Sequence, residues 1–358
     1  MRTNVVEDMV ERAPVDTGVT VKLGMDVHSD QITVCRQVGG RVPQPAQVLA
    51  PAKLLEQVRE LRAGGVTVLS CYEAGPCGYL LHRQLTALGV TNYVIAPQRL
   101  DERHRRVKTD KRDARELCNR LDRYSRGNTD AFSVVRVPTV EEERRRALTR
   151  QRGTVLKEQH RCVVRGHGLM LSQGVRAPTG WWHANVWPRF SARLPEWLRP
   201  HIARWQAQAI SYEAMLAELT PQVEALMAGQ TAPKGVGALT TAILESEVLD
   251  WHRFHNRREV GSYTGLCPSE HSSNRARRQG SVTKCGNRRL RHQLVEAVWR
   301  LLEWQPTYPP LQRIQAATGK RARKRAAVAV ARRLAVDLWR LNTGQCSAQR
   351  LGLTLLRH

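Results

Sequence analysis

Between residues 20 and 127 the chain alternates apolar runs too short for helices with segments of helical spacing, and this order limits the possible folds most. "TVKLGMDVHSDQITVCRQV", 20–38, carries two runs of alternating β-branched and polar residues around "HSD", the pattern of a β-hairpin. "GGVTVLSCYEAG", 64–75, is a short apolar run behind a Gly pair and predicts a buried strand. "GYLLHRQLTALGV" follows with helical spacing and a Gly stop, and "TNYVIAP", 91–97, reads as a further strand. In "KRDARELCNRLDRYSRG", 111–127, Ala114, Leu117, Cys118 and Leu121 share one face of a helix and the charges take the other. Strands and helices in this order predict an α/β domain over 18–135.

Beyond it the pattern turns helical and charged. Over 139–230 we expect a helical, coiled-coil-like middle region: Thr139 followed by Glu141, Glu142 and Glu143 suits a helix start. "GWWHANVWPRFSARLPEWLRPHIARW" is expected to pack as irregular helical pieces, with base stacking by its tryptophans as the alternative. "PKGVGALT" offers a Gly-x-Gly turn into a helix, either a tight packing turn or a phosphate cradle of free N–H groups. Residues 231–345 predict a mainly α C-terminal domain. "SSNRARRQGSVTKCGNRRLRHQLVEAVWRLL" reads as an arginine-rich loop leading into a helix whose Leu290, Leu294, Ala297, Val298 and Leu301 share a face. "GKRARKRAAVAVARRLAVDLWRL" is a second basic start to an apolar helix.

Charge points to the partner. With 57 Lys and Arg against 32 Asp and Glu, the net charge is +25, an excess that repels itself unless a polyanion is bound. No run of roughly 18 apolar residues exists, which argues against a membrane and for nucleic acid. Arg288, Arg289, Arg291, Lys320, Arg321, Arg323 and Lys324 are the candidate phosphate contacts. The N-terminal stretch has no apolar core of an export signal, and the eight cysteines form no C-x-x-C pair. Reduced thiols in a cytoplasm, on a nucleic-acid-associated protein, are the expectation.

Against this basic background four acids stand out. Asp26 lies on the first strand, Glu73 just past the second, and Asp110 and Asp113 three apart as a helix begins, so that their side chains point the same way. Taken singly, each has a structural role available: a helix-dipole partner, a turn cap, a mate for an arginine. Adjacent strands are about 4.8 Å apart, so the four can converge, and their repulsion would be relieved by a divalent cation, Mg²⁺ or Mn²⁺. Together, on a β–β–α pattern in a basic chain, they indicate an RNase H-like nuclease site.

"GMDVHSDQITVC", "CYEAGPCGYLLHRQL" and "VKTDKRDARELCNRL" resemble, in order, the three blocks of the DEDD transposases, insertion-sequence enzymes with a RuvC-like N-terminal domain. "VGSYTGLCPSEHSSNRARRQGSVTKCGNRRLRHQLVEAVW" is similar to that family's second signature domain. The resemblance implies an RNase H-like (RuvC-like) N-terminal domain in which Asp26, Glu73, Asp110 and Asp113 hold the metal. It also implies a nucleophilic serine in "PSEHSSN", where Asn274 replaces the usual Gly; Ser272 is favoured over Ser273. Arg275, Arg277, Arg278 and Lys284 would then neutralise the scissile phosphate and its neighbours. The family's site is assembled between subunits, so a dimer or tetramer held by the helical linker/oligomerisation region 139–230 is implied, as are donor DNA, target DNA, a guide (bridge) RNA and a prokaryotic, DNA-associated setting. Two rivals remain at this level: a RuvC-like structure-selective nuclease that uses water, and a non-catalytic nucleic-acid-binding protein.

Overall fold

The structure, a computed structural model, describes residues 18–97, 109–273 and 276–358; for 271–273 and 276–279 it describes the backbone. The chain forms two compact units that divide between Val137 and Pro138.

The first unit is built on a mixed five-stranded sheet. The expected hairpin is β1 (Thr20–Val27) with β2 (Ile32–Val38), paired antiparallel across the turn in which the His28 N–H donates to the Gln31 carbonyl. Two elements were not anticipated: β3 (Gln47–Leu49), which adds to β2, and α1 (Pro51–Ala63). The predicted β4 (Thr67–Glu73), α2 (Leu80–Ala87), β5 (Thr91–Ile95) and α3 (Asp110–Ser125) follow. Strand order is β3-β2-β1-β4-β5, with β4 parallel to both β1 and β5.

Alternation along the strands sorts the two faces. Val21, Leu23 and Met25 of β1 join Val68 and Tyr72 of β4 in the core that also holds Leu54, Val58, Leu81 and Leu85 from α1 and α2. The residues between them, Lys22 and Gly24 of β1 and Cys71 of β4, meet α3 instead. A β-carbon on Gly24 would lie 2.2 Å from the Cys118 backbone nitrogen and 2.4 Å from the Ala114 carbonyl oxygen, so only glycine lets the helix seat there. The Cys71 thiol donates to the Leu117 carbonyl, and Lys22 pairs with Asp122 near the far end of the helix. Helix α3 therefore runs antiparallel to β1, with its N-terminus at the carboxyl end of the parallel strands. Ala114, Leu117, Cys118 and Leu121 are all buried, as their spacing predicts.

The second unit begins with α4 (Val140–Ser172), whose Thr139 and Glu142 close a reciprocal capping box. It packs lengthwise on α6 (Arg199–Ala225). Between them the tryptophan-rich stretch, with the short α5 (Trp187–Ser191), folds into a core of Met170, Trp181, Phe190, Leu198 and Ile202. Gly166 makes room for Trp181, since a β-carbon there would stand 2.6 Å from the indole ring. Trp181 thus serves packing; Trp197 stays exposed.

A two-stranded sheet pairs β6 (Thr231–Pro233) with the distant β9 (Leu355–Arg357). Next come α7 (Ala238–Val248) and α8 (Arg257–Thr264), and then a difference from expectation. The arginine-rich stretch is not a loop but the hairpin β7 (Pro268–Ser273) and β8 (Ala276–Val282). Its serines, arginines and glutamine carry no apolar alternation, so the strand signal is missing from the sequence. Then α9 (Arg288–Trp304), α10 (Gln312–Gln315), α11 (Lys320–Asn342) and α12 (Ala348–Leu351) close the unit. The predicted face of α9, Leu290 through Leu301, is buried against α11 and its neighbours. No described helix is long and apolar enough to cross a membrane.

Candidate functional site

Position on the sheet brings the acids to one place. Asp26 lies two residues past Gly24, and Glu73 two past Cys71, so both fall on the α3 face at the carboxyl ends of β1 and β4. The parallel register pairs Met25 with Tyr72, which sets Asp26 and Glu73 at the same level of adjacent strands. On the helix, Asp110 is one turn before Ala114, the residue over Gly24, and Asp113 one turn before Leu117, the residue over Cys71. Each strand-end acid thus has a helix-start acid in the matching row.

The closest grouping is Asp26, His28 and Asp110, whose nearest ligand atoms all lie within 4.8 Å of one another. The His28 Nε2 stands 3.6 Å from Asp26 Oδ2 and 3.6 Å from Asp110 Oδ2. Glu73 and Asp113 are outside this trio, one strand and one helical row over. Asp110 and Asp113 stand in the first turn of α3, where the helix dipole favours carboxylates. Asp26 and Glu73 are half-buried and Asp110 exposed, so the cluster is open to a large substrate. Oxygen donors from a strand end and a helix start, with room for water, fit a hard divalent cation. His28 was missed in the sequence because "HSD" reads as a turn. The available signal was its position two residues after Asp26, which returns its side chain to the same side.

The serine region belongs to the second unit. Ser272 pairs in register with Arg277, and Ser273 with Ala276, so both serines sit at the closed end of the β7–β8 hairpin. Arg275, with Asn274, lies outside the described residues. Lys284, just beyond the hairpin, is exposed and held in a left-handed conformation (φ 57°), where its N–H donates to the Gly265 carbonyl. A lysine has no intrinsic reason to adopt that backbone, and such strain recurs where a residue's direction matters.

The basic candidates divide. Arg289 lies against Gly153 and within 4.0 Å of buried Glu247, while Arg291 donates to the Thr264 carbonyl; these two hold the unit together. Arg288 is exposed. Lys320, Arg321 and Lys324 are exposed and Arg323 is exposed alongside them in the first turns of α11, and among the described residues none of them forms an ion pair. Cations at the positive end of a helix oppose its dipole, so this cluster costs fold stability unless an anion covers it.

Comparison with known proteins agrees with a DNA-processing chain. The family model described as "Transposase IS116/IS110/IS902 family" matches residues 231–311. The chain is 36% identical over 305 residues to y4rJ of Sinorhizobium fredii, named as a transposase, covering 76% of each chain. It is 26% identical over 344 residues to the transposase for insertion sequence element IS1111A of Coxiella burnetii, covering 90% of each. To the transposase for insertion sequence element IS1533 of Leptospira borgpetersenii it is 26% identical over 308 residues, covering 78% of this chain and 85% of the relative.

Proposed function

The chain belongs to the IS116/IS110/IS902 family of transposases, and from that premise we propose that it cuts and rejoins DNA by attack of a serine hydroxyl on a phosphodiester, assisted by a metal. The observation that carries this reading is the meeting of Asp26 and Asp110, from a strand end and a helix start, beside the end of β4 that bears Glu73. The sheet order β3-β2-β1-β4-β5, with one antiparallel edge and acids at the carboxyl ends of β1 and β4, supports an RNase H-like (RuvC-like) unit.

In this reading Asp26, Glu73, Asp110 and Asp113 hold Mg²⁺ or Mn²⁺. When bound, the cation supplies charge neutralisation at the phosphoryl oxygens and lowers the pKa of the attacking hydroxyl. Ser272, or its neighbour Ser273, forms an Oγ–P bond as the P–O3′ bond breaks; the serine proton leaves and the departing oxygen takes one up as a 3′-OH. That 3′-OH attacks a phosphoserine linkage on a partner strand, restoring the serine and joining the ends. Arg277, Arg278, Lys284 and Arg275 neutralise the reacting phosphate. Arg288, Lys320, Arg321, Arg323 and Lys324 track the flanking backbone. Donor and target DNA are the substrates, a guide RNA selects them, and two or four copies assemble.

A recombination assay in cells, with donor and target on separate plasmids and the guide RNA supplied, tests the reading. Asp26→Asn and Ser272→Ala or Ser273→Ala should each abolish product at unchanged protein level. Recombination that survives both serine variants would favour water as nucleophile and a resolvase-like enzyme.

A further inference from the structure

The imidazole of His28 stands between two carboxylates, within ion-pair range of both. At 3.6 Å from both Asp26 Oδ2 and Asp110 Oδ2, its Nε2 is too far for a hydrogen bond to either. It is also equidistant, where a histidine held by one acceptor would be drawn to that side. An ion ~2.1 Å from two ligands separates them by ~3.0 Å at a right angle and ~3.4 Å at a tetrahedral one. The two 3.6 Å separations are therefore near the edge length of a coordination shell. The side chain is half-exposed, which leaves it open to an ion from solvent.

We infer that His28 is a nitrogen ligand of the metal held by Asp26 and Asp110, and that it makes the site select a cation that accepts imidazole. This rests on the metal reading above and adds to it a ligand outside the four carboxylates. Carboxylates alone suit Mg²⁺, which keeps to oxygen, whereas a mixed set of two oxygens and one imidazole favours Mn²⁺ or a softer divalent ion. The β1 strand ends one residue before His28. The seat of α3 on Gly24 fixes where Asp110 can reach, so both sides of the trio are set by the sheet rather than by a mobile segment.

The test loads the full chain with Mn²⁺ and reads it by three-pulse electron spin-echo envelope modulation, with binding constants for Mn²⁺ and Mg²⁺ measured in parallel. Wild type should show the nitrogen modulation of a directly bound imidazole. His28→Gln should remove it and weaken Mn²⁺ binding by roughly tenfold or more, with Mg²⁺ affinity changed much less. Asp26→Asn, in the same assay, should weaken both ions. Mn²⁺ binding that depends on Asp26 but shows no nitrogen modulation, or modulation that persists in His28→Gln, overturns the role of His28 alone. Mn²⁺ binding indifferent to both Asp26→Asn and Asp110→Asn overturns the metal reading itself, and with it this inference.

Discussion

At the level of single residues, the first unit turns on Gly24 and the acids it lets approach. Any side chain there would press on the backbone of α3 and not on a movable group, so relaxation means moving the helix. Gly24→Ala should destabilise the unit by about 2–3 kcal/mol or more, read as a lower urea midpoint at unchanged slope. It should also weaken divalent-ion binding, because Asp110 rides on the displaced helix. The positions of the acids were legible in the sequence because strand ends and helix starts show as changes of pattern. Gly24 and His28 were not. A glycine inside a strand says nothing about what crosses it, and a histidine in a polar turn looks like any turn residue. The serines are candidates through resemblance alone; Ser272 and Ser273 as residue types are ordinary turn formers.

Elements show where charge holds the fold and where it waits for a partner. Glu247, fully buried on α7, accepts from both Arg150 of α4, at 2.9 Å twice, and from Asn287, the cap of α9. Burial alone would raise its carboxyl, but the hydrogen bonds from Arg150 and Asn287 and the charges of Arg150 and Arg146 outweigh that and hold it below the ordinary value. A depressed carboxyl contributes stability above its unfolded pKa and loses it as pH falls through the folded one. The second unit should therefore weaken as pH drops below about 4.5, the ordinary glutamate value. Glu247→Ala should cost about 3 kcal/mol in denaturant unfolding at neutral pH and flatten that acid dependence. Helix α11 is the opposite case. Replacing Lys320, Arg321, Arg323 and Lys324 by Ala should leave unfolding unchanged or slightly raise stability, since the dipole conflict goes. The same change should lower DNA affinity and reduce the salt slope by up to ~0.9 for each phosphate no longer neutralised. Unchanged affinity and slope would make the cluster a solvated face only. Helix α1 escaped the sequence reading for a related reason: only Leu54 and Val58 are buried, so its apolar stripe is thin, and no side chain caps its start at Ala50. The β7–β8 hairpin escaped because polar strands carry no hydrophobic period.

Across the whole molecule, the carboxylates and the serines belong to different compact units, while the +25 charge is that of the full chain. The α/β character of the first unit and the helical character of the second followed from the order of periodicities, which depends on local burial. The proposed reaction calls on the acids of the first unit and on a serine of the second. Incubating the full chain with guide RNA and supercoiled donor and target DNA, with Mg²⁺, Mn²⁺ or EDTA, puts this to the test. Protein covalently bound to DNA is then measured after denaturation. A metal-dependent adduct should form in wild type and be lost in Glu73→Ala and in one of Ser272→Ala and Ser273→Ala. Cut DNA with no adduct, or an adduct that persists in both serine variants, would contradict metal-assisted serine attack.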